Sequence, residues 1–127
     1  MDKVTGFAIP VIDLARAKNF FKTAFGWKVD DWAEQHFRVK TVTTNRSWTP
    51  KEKGIASGTL YKAAGKREKP LLVITVSSIE EALEKVRKAK GEIITDKTEA
   101  GDWGWWAAIR DTEDNTFELW QDKIFQR

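Results

Sequence analysis

The chain has 127 residues, 22 Lys and Arg against 19 Asp and Glu, a formal net charge of +3, and no cysteine. That length suits one domain with its own core, and the missing cysteine excludes disulfides, thiolate metal sites and cysteine nucleophiles. Basic and acidic side chains are interleaved, which marks a solvated surface rather than a nucleic-acid footprint. The start, MDKVTGFAIPV, lacks a basic segment ahead of a long apolar stretch, and no run approaches the roughly 18 apolar residues that span a bilayer. The expectation is a soluble cytoplasmic protein with no nucleic-acid and no membrane partner.

Taken in chain order, GFAIPV (6–11) alternates Phe7, Ile9 and Val11 with Gly6, Ala8 and Pro10, the period of a half-buried strand. Asp13 suits an N-cap, because its carboxylate can accept the free amide hydrogens of a first helical turn. Leu14, Ala17, Phe21 and Ala24 then recur at helical spacing, and Gly26 stands where a left-handed residue would end the helix. Three strand-like segments follow: GWKVDDW, HFRVKTVTT and ASGTLYK. NRSWTPKEKG (45–54) reads as a long loop between the last two. The polar stretch AAGKREKP (63–70) reads as a linker.

The same order then repeats. Leu72, Ile74 and Val76 alternate with Leu71, Val73 and Thr75. Ser78 and Glu81 form an S-x-x-E capping box. Ile79, Ala82, Val86 and Ala89 mark a helix face, and Gly91 closes the helix. GEIITDK, WGWWAAIR and TFELWQ follow as strands, with RDTEDNT a hairpin turn in which Asp114 or Asn115 takes a positive φ. Residues 6–29 align with residues 71–94 without a gap. The reading is a single domain over 1–127, built as module one (about 1–63), a linker (about 64–69) and module two (about 70–127), each module βαβββ.

The stretches IPVIDLARAKNFFKTAFGW, VITVSSIEEALEKVRKAKGE and RDTEDNTFELWQ resemble the vicinal oxygen chelate superfamily of glyoxalase I, bleomycin-resistance proteins and extradiol dioxygenases. The resemblance implies an α+β fold: two βαβββ modules forming a cup-shaped mixed sheet with helices on the outside, and a ligand in the cup. It also implies a homodimer. The family's enzymes commonly hold a divalent metal through one side chain from each of four strands, and those positions fall on Gly6, Thr59, Leu71 and Glu118. A carboxylate and a hydroxyl make a poor cage for Zn, Ni, Fe or Mn. No metal and no cofactor are therefore expected.

Strand parity sharpens the site. Phe117 and Leu119 belong to the helix side, leaving Glu118 and Trp120 for the opposite face. Trp105 and Ile109 go with the helix, leaving Trp106 and Ala108 beside Glu118. The candidate ligand-binding residues are Ala8, Thr59, Leu71, Val73, Trp106, Ala108, Glu118 and Trp120, with Glu118 also the candidate general base. An apolar surface with indole rings and one carboxylate suits a planar aromatic or cationic small molecule. An alternative is a lyase, isomerase or dioxygenase-like enzyme using Glu118 as base or metal ligand. A further alternative is a dimeric interaction module, since tryptophan is enriched at interfaces. In the idle case, Glu118 would be paired with Arg110. His36, in EQHFRV, reads as structural.

Overall fold

A computed structural model describes residues 1–33, 36–43, 46, 51, 57–65 and 68–123, with the backbone alone at 31–33 and 57. Of the expected loop 45–54 only Arg46 and Lys51 fall among these, and the rest lies outside the described residues, as do Thr44, Ala56 and two positions of the expected linker, Lys66 and Arg67. The elements are β1 (Lys3–Val11), α1 (Leu14–Phe25), β2 (Lys28–Ala33), β3 (His36–Lys40), β4 (Ser57–Lys62), β5 (Leu71–Thr75), α2 (Ile79–Lys88), β6 (Glu92–Ala100), β7 (Gly104–Arg110) and β8 (Thr116–Asp122). The fold is α+β, with mixed strand pairing. The chain divides into two compact units, Gly6–Pro70 and Leu71–Arg127, the latter including residues Met1–Thr5. No helix among the described residues is long and apolar enough to cross a membrane.

In the Gly6–Pro70 unit the strands run β2-β3-β4-β1, with β1 parallel to β4 and the other pairs antiparallel. Asp13 caps α1 as its position predicts, its Oδ1 accepting from the Arg16 amide at 3.0 Å. Gly26 ends the helix at φ 71°. Val11, Val29, Val39 and Leu60 form the core, joined by Phe7, Ile9, Leu14, Ala17 and Phe21. Phe21 stacks on Trp27 at 4.9 Å and 8°. Ala24, expected on the buried face, is exposed. Glu68 ties the segment after β4, accepting from the amides of Ala64 (2.6 Å) and Gly65 (3.2 Å) and from the Tyr61 hydroxyl (3.0 Å).

The second unit repeats the pattern as β5-β8-β7-β6, with β5 parallel to β8. The Ser78 hydroxyl accepts from the Glu81 amide at 3.2 Å, and Gln121 Oε1 accepts from the Ile79 amide at 2.8 Å, so two free donors of the first turn are satisfied. Ile79 and Leu83 are the buried residues of α2 and pack on Val76, Ala107, Ile109 and Leu119, with Trp105 and Phe117 against them. Leu83 thus takes the place expected for Ala89, which is exposed because the helix ends at Lys88 and Ala89 is its cap.

The closing residue also differs from expectation. Lys90, not Gly91, adopts the left-handed conformation, at φ 73°. The Gly91 amide donates to the Val86 carbonyl at 2.9 Å and the Lys90 amide to Arg87 at 3.1 Å, a Schellman closure. Gly91 is small for another reason: a Cβ there would lie 2.9 Å from the Arg110 carbonyl oxygen. Because a non-glycine residue is strained at positive φ, Lys90→Gly is expected to stabilise the protein by about 0.5–1 kcal/mol, read as a higher urea midpoint. A lower midpoint would show that the lysine side chain contributes more than its backbone conformation costs.

The β7–β8 turn is built on Asp111. Its Oδ1 accepts from the amides of Glu113 (2.9 Å) and Asn115 (2.8 Å), and its Oδ2 from the Asn115 side chain (3.0 Å). These bonds, that from the Asn115 side chain first, hold its carboxyl below the ordinary range. Asp114 takes the positive φ, at 69°.

Candidate functional site

In the unit holding residues 71–123, one sheet face packs on α2 and the other carries the candidate site. Cross-strand register sets its layout. Glu118 on β8 is paired with Val73 on β5 and with Ala108 on β7. One step along, Trp120 is paired with Thr75 and with Trp106, and Trp106 in turn with Thr98 on β6. Residues directly opposite share a face with Cβ atoms about 5 Å apart, so Val73, Ala108, Trp106 and Trp120 surround Glu118. Leu71 begins β5 on the same face by alternation.

Glu118 is the anomalous member. It is half-buried and has no hydrogen-bond or ion-pair partner among the described residues. Burial among apolar neighbours disfavours the charged form, and the carboxyl is pushed up from an ordinary 4.5 to about 7. Arg110 does not neutralise it: its guanidinium pairs with Glu92 and, at 3.2 Å, with Asp114. Arg110 is paired in register with Thr116, one step beyond Ala108, and there it serves the turn.

The three clustered tryptophans separate. Trp105 is on the α2 side, with the ammonium groups of Lys97 and Lys123 each 4.5 Å from its ring centre. Trp103 precedes β7, in a turn, and is 49% exposed. Trp106 is on the Glu118 face. Trp120 is fixed differently from Trp106: its Nε1 donates to Asp122 Oδ1 at 2.9 Å. A Cβ built on Gly104 would fall 2.6 Å from Trp120 Cζ2, so the indole lies against the bare backbone of β7.

Ala8 and Thr59 belong to the other unit, where they are register partners on β1 and β4. Ala8 is buried and Thr59 half-buried. The sequence reading overlooked Arg38, the β3 partner of Thr59 and of Asp30. Burial lowers the Arg38 pKa, opposed by the nearby Asp30 charge. Alternation in HFRVK carried the signal, since Phe37 and Val39 point to the helix side and leave Arg38 beside Thr59. His36 is exposed, with its ring 6.4 Å from that of Tyr61.

The donor set does not fit the four-ligand metal cage that the resemblance implies. Gly6 and Leu71 offer no ligating atom, which leaves Glu118 and the Thr59 hydroxyl. No group of three His, Cys, Asp or Glu side chains converges elsewhere among the described residues.

Solved structures share the architecture. A hypothetical protein BH1468 from Bacillus halodurans C-125 matches with a TM-score of 0.68 and 16% identity, over 99% of this chain and 98% of that one. Methylmalonyl-CoA epimerase from Mycobacterium tuberculosis gives 0.64 and 13%, over 94% and 87%. A glyoxalase/bleomycin resistance protein/dioxygenase superfamily member from Vibrio splendidus 12B01 gives 0.64 and 13%, over 96% and 100%. At such identities the likeness is one of fold. No curated protein matches the sequence. A family model, however, matches residues 3–119. The chain belongs to the Glyoxalase/Bleomycin resistance protein/Dioxygenase superfamily.

Proposed function

We propose that the chain is a metal-free small-molecule binding protein of this superfamily, taking a planar, cationic ligand against Glu118 and Trp106. The observation that carries this reading is the half-buried Glu118 carboxyl without a partner. A buried charge is costly unless paired, and a ligand cation supplies the missing counter-charge. A flat ring adds contact with the Trp106 indole, whose face attracts cations and other rings. Val73 and Ala108 flank Glu118 on the neighbouring strands.

Binding of this kind is linked to protons. With a pKa of about 7, Glu118 is mostly protonated at pH 6, and pairing with a cation drives it to the carboxylate. Calorimetry at pH 6 in buffers of different ionisation heat is expected to register close to one proton released per planar cation bound. Proflavine is a suitable probe, with a ring of similar size bearing a carboxylate as the control. Tryptophan emission follows the same titration. Unchanged emission, or binding without proton release, would sink the reading.

A second reading uses the same group as a general acid–base. A carboxyl near pKa 7 is matched to proton transfer at neutral pH, and a lyase or isomerase would use Glu118 to take a proton from its substrate. Glu118→Gln then abolishes turnover, whereas full activity in that variant removes Glu118 from the chemistry. A dimeric interaction module is the third reading, favoured by the exposure of Trp103 (49%), Phe20 (55%) and Phe25 (61%). A strictly monomeric protein in sedimentation counts against it.

A further inference from the structure

A groove of about 470 Å³ opens at the ends of β5 and β8, lined by Met1, Lys3, Thr5, Thr75, Gln121 and Asp122 among others. Its lining residues all belong to one compact unit. Its volume lies in the range of ligand clefts, roughly 300–1,000 Å³.

The hydrogen-bonding inventory is specific. Thr5 and Thr75 hydroxyls lie 2.7 Å apart. Whichever donates, the other keeps its own hydrogen for an outside acceptor, and the pair polarises it. Gln121 uses its oxygen on the Ile79 amide, leaving its NH2 as donor. Asp122 spends Oδ1 on the Trp120 indole, and its other oxygen has no partner among the described residues. Lys3 makes no ion pair among them. The groove therefore offers several donors, one strong acceptor, and charges of both signs.

That mixture of signs selects the ligand. An anion drawn to Lys3 would meet the Asp122 carboxylate, and a cation drawn to Asp122 would meet Lys3. A neutral group with neighbouring hydroxyls suits both: its O–H donates to Asp122 while its lone pairs accept from Lys3, Gln121 and threonine. We propose that this groove binds a neutral polyhydroxylated group, such as a sugar ring or a sugar alcohol. The groove adjoins the Glu118 site through Trp120, the register partner of Thr75 and the donor to Asp122, but its ligand does not depend on the Glu118 reading.

Asp122 also makes the groove observable, because the carboxylate that would hold the sugar is the one that holds Trp120. Titration with glucose, ribose and sorbitol is expected to give saturable NMR saturation transfer to the polyol, with a dissociation constant on the order of millimolar. Tryptophan emission changes over the same range. In Trp120→Phe the emission change disappears while saturation transfer remains. Asp122→Asn weakens binding about tenfold through loss of one charge-assisted hydrogen bond, and Thr75→Val weakens it independently should the Asp122 variant fail to fold. Glu118→Gln leaves polyol binding intact, which separates this proposal from the cation site. The proposal is overturned if no polyol shows saturable transfer, if citrate or spermidine binds instead, or if both the Asp122 and Thr75 variants bind as the parent does.

Discussion

Glu118→Gln is expected to stabilise the protein by about 3 kcal/mol above pH 7 and to leave it nearly unchanged near pH 4. The folded-state pKa of Glu118 is raised, from 4.5 to about 7. Below pH 4.5 the carboxyl is protonated in both folded and unfolded chains, and its contribution is fully present. Between pH 4.5 and 7 the unfolded chain releases the proton while the folded protein retains it. Unfolding is favoured progressively over that window, and the penalty is constant above it. Glutamine keeps the shape and never ionises, so the variant does not lose stability there.

The difference between parent and variant isolates this group. Asp111 and Glu80 are held below the ordinary range, Asp111 by Asn115 and Glu80 by Lys97. The stability they contribute is present above the unfolded pKa and is lost on acidification, below the window assigned to Glu118. Urea denaturation at unit steps of pH from 4 to 8 measures the divergence directly. Parallel curves for parent and variant would show that Glu118 has a partner or solvent access sufficient to keep its ordinary pKa.

Much of this arrangement was legible because local chemistry and the folded structure agree. Asp13 and Ser78 cap the helices they precede, Gly26 and Asp114 take the left-handed positions, and the βαβββ order follows from alternation and spacing. Parity alone put Glu118 with Trp106 and Ala108, because a period of two leaves no choice of face once Phe117 and Leu119 are assigned to the core. Parity fails where the backbone leaves the strand: Trp103 sits in a turn, and Ala89 lies beyond the helix that would have buried it. Side-chain pairing was harder still. Arg110 shares a face with Glu118 by alternation, yet it reaches back to Glu92 and Asp114, because a long guanidinium chooses among several carboxylates that strand period does not rank. Likewise, nothing in GDWGWW announces that Gly104 is there for Trp120, which lies sixteen positions ahead.

That dependence gives the second large effect. Gly104→Ala is expected to destabilise the protein by about 1–3 kcal/mol and to release Trp120 from Asp122. The new methyl group would fall 2.3 Å from the Gln121 carbonyl oxygen and 2.6 Å from Trp120 Cζ2. The ring could swing aside, but the carbonyl belongs to the backbone of β8 and cannot move without spreading the β7–β8 pair. Two controls separate crowding from the general cost of replacing glycine. Gly65 has open space and no positive φ, so Gly65→Ala is expected to be nearly silent. Gly101 also has open space but sits at φ 59°, so Gly101→Ala carries backbone strain without touching Trp120. A drop in melting temperature accompanied by a shift in tryptophan emission in Gly104→Ala, against a drop without that shift in Gly101→Ala, identifies the indole as seated on β7. Equal emission from both variants would mean that Trp120 is not seated on β7 and takes its position from its other contacts, the hydrogen bond to Asp122 among them.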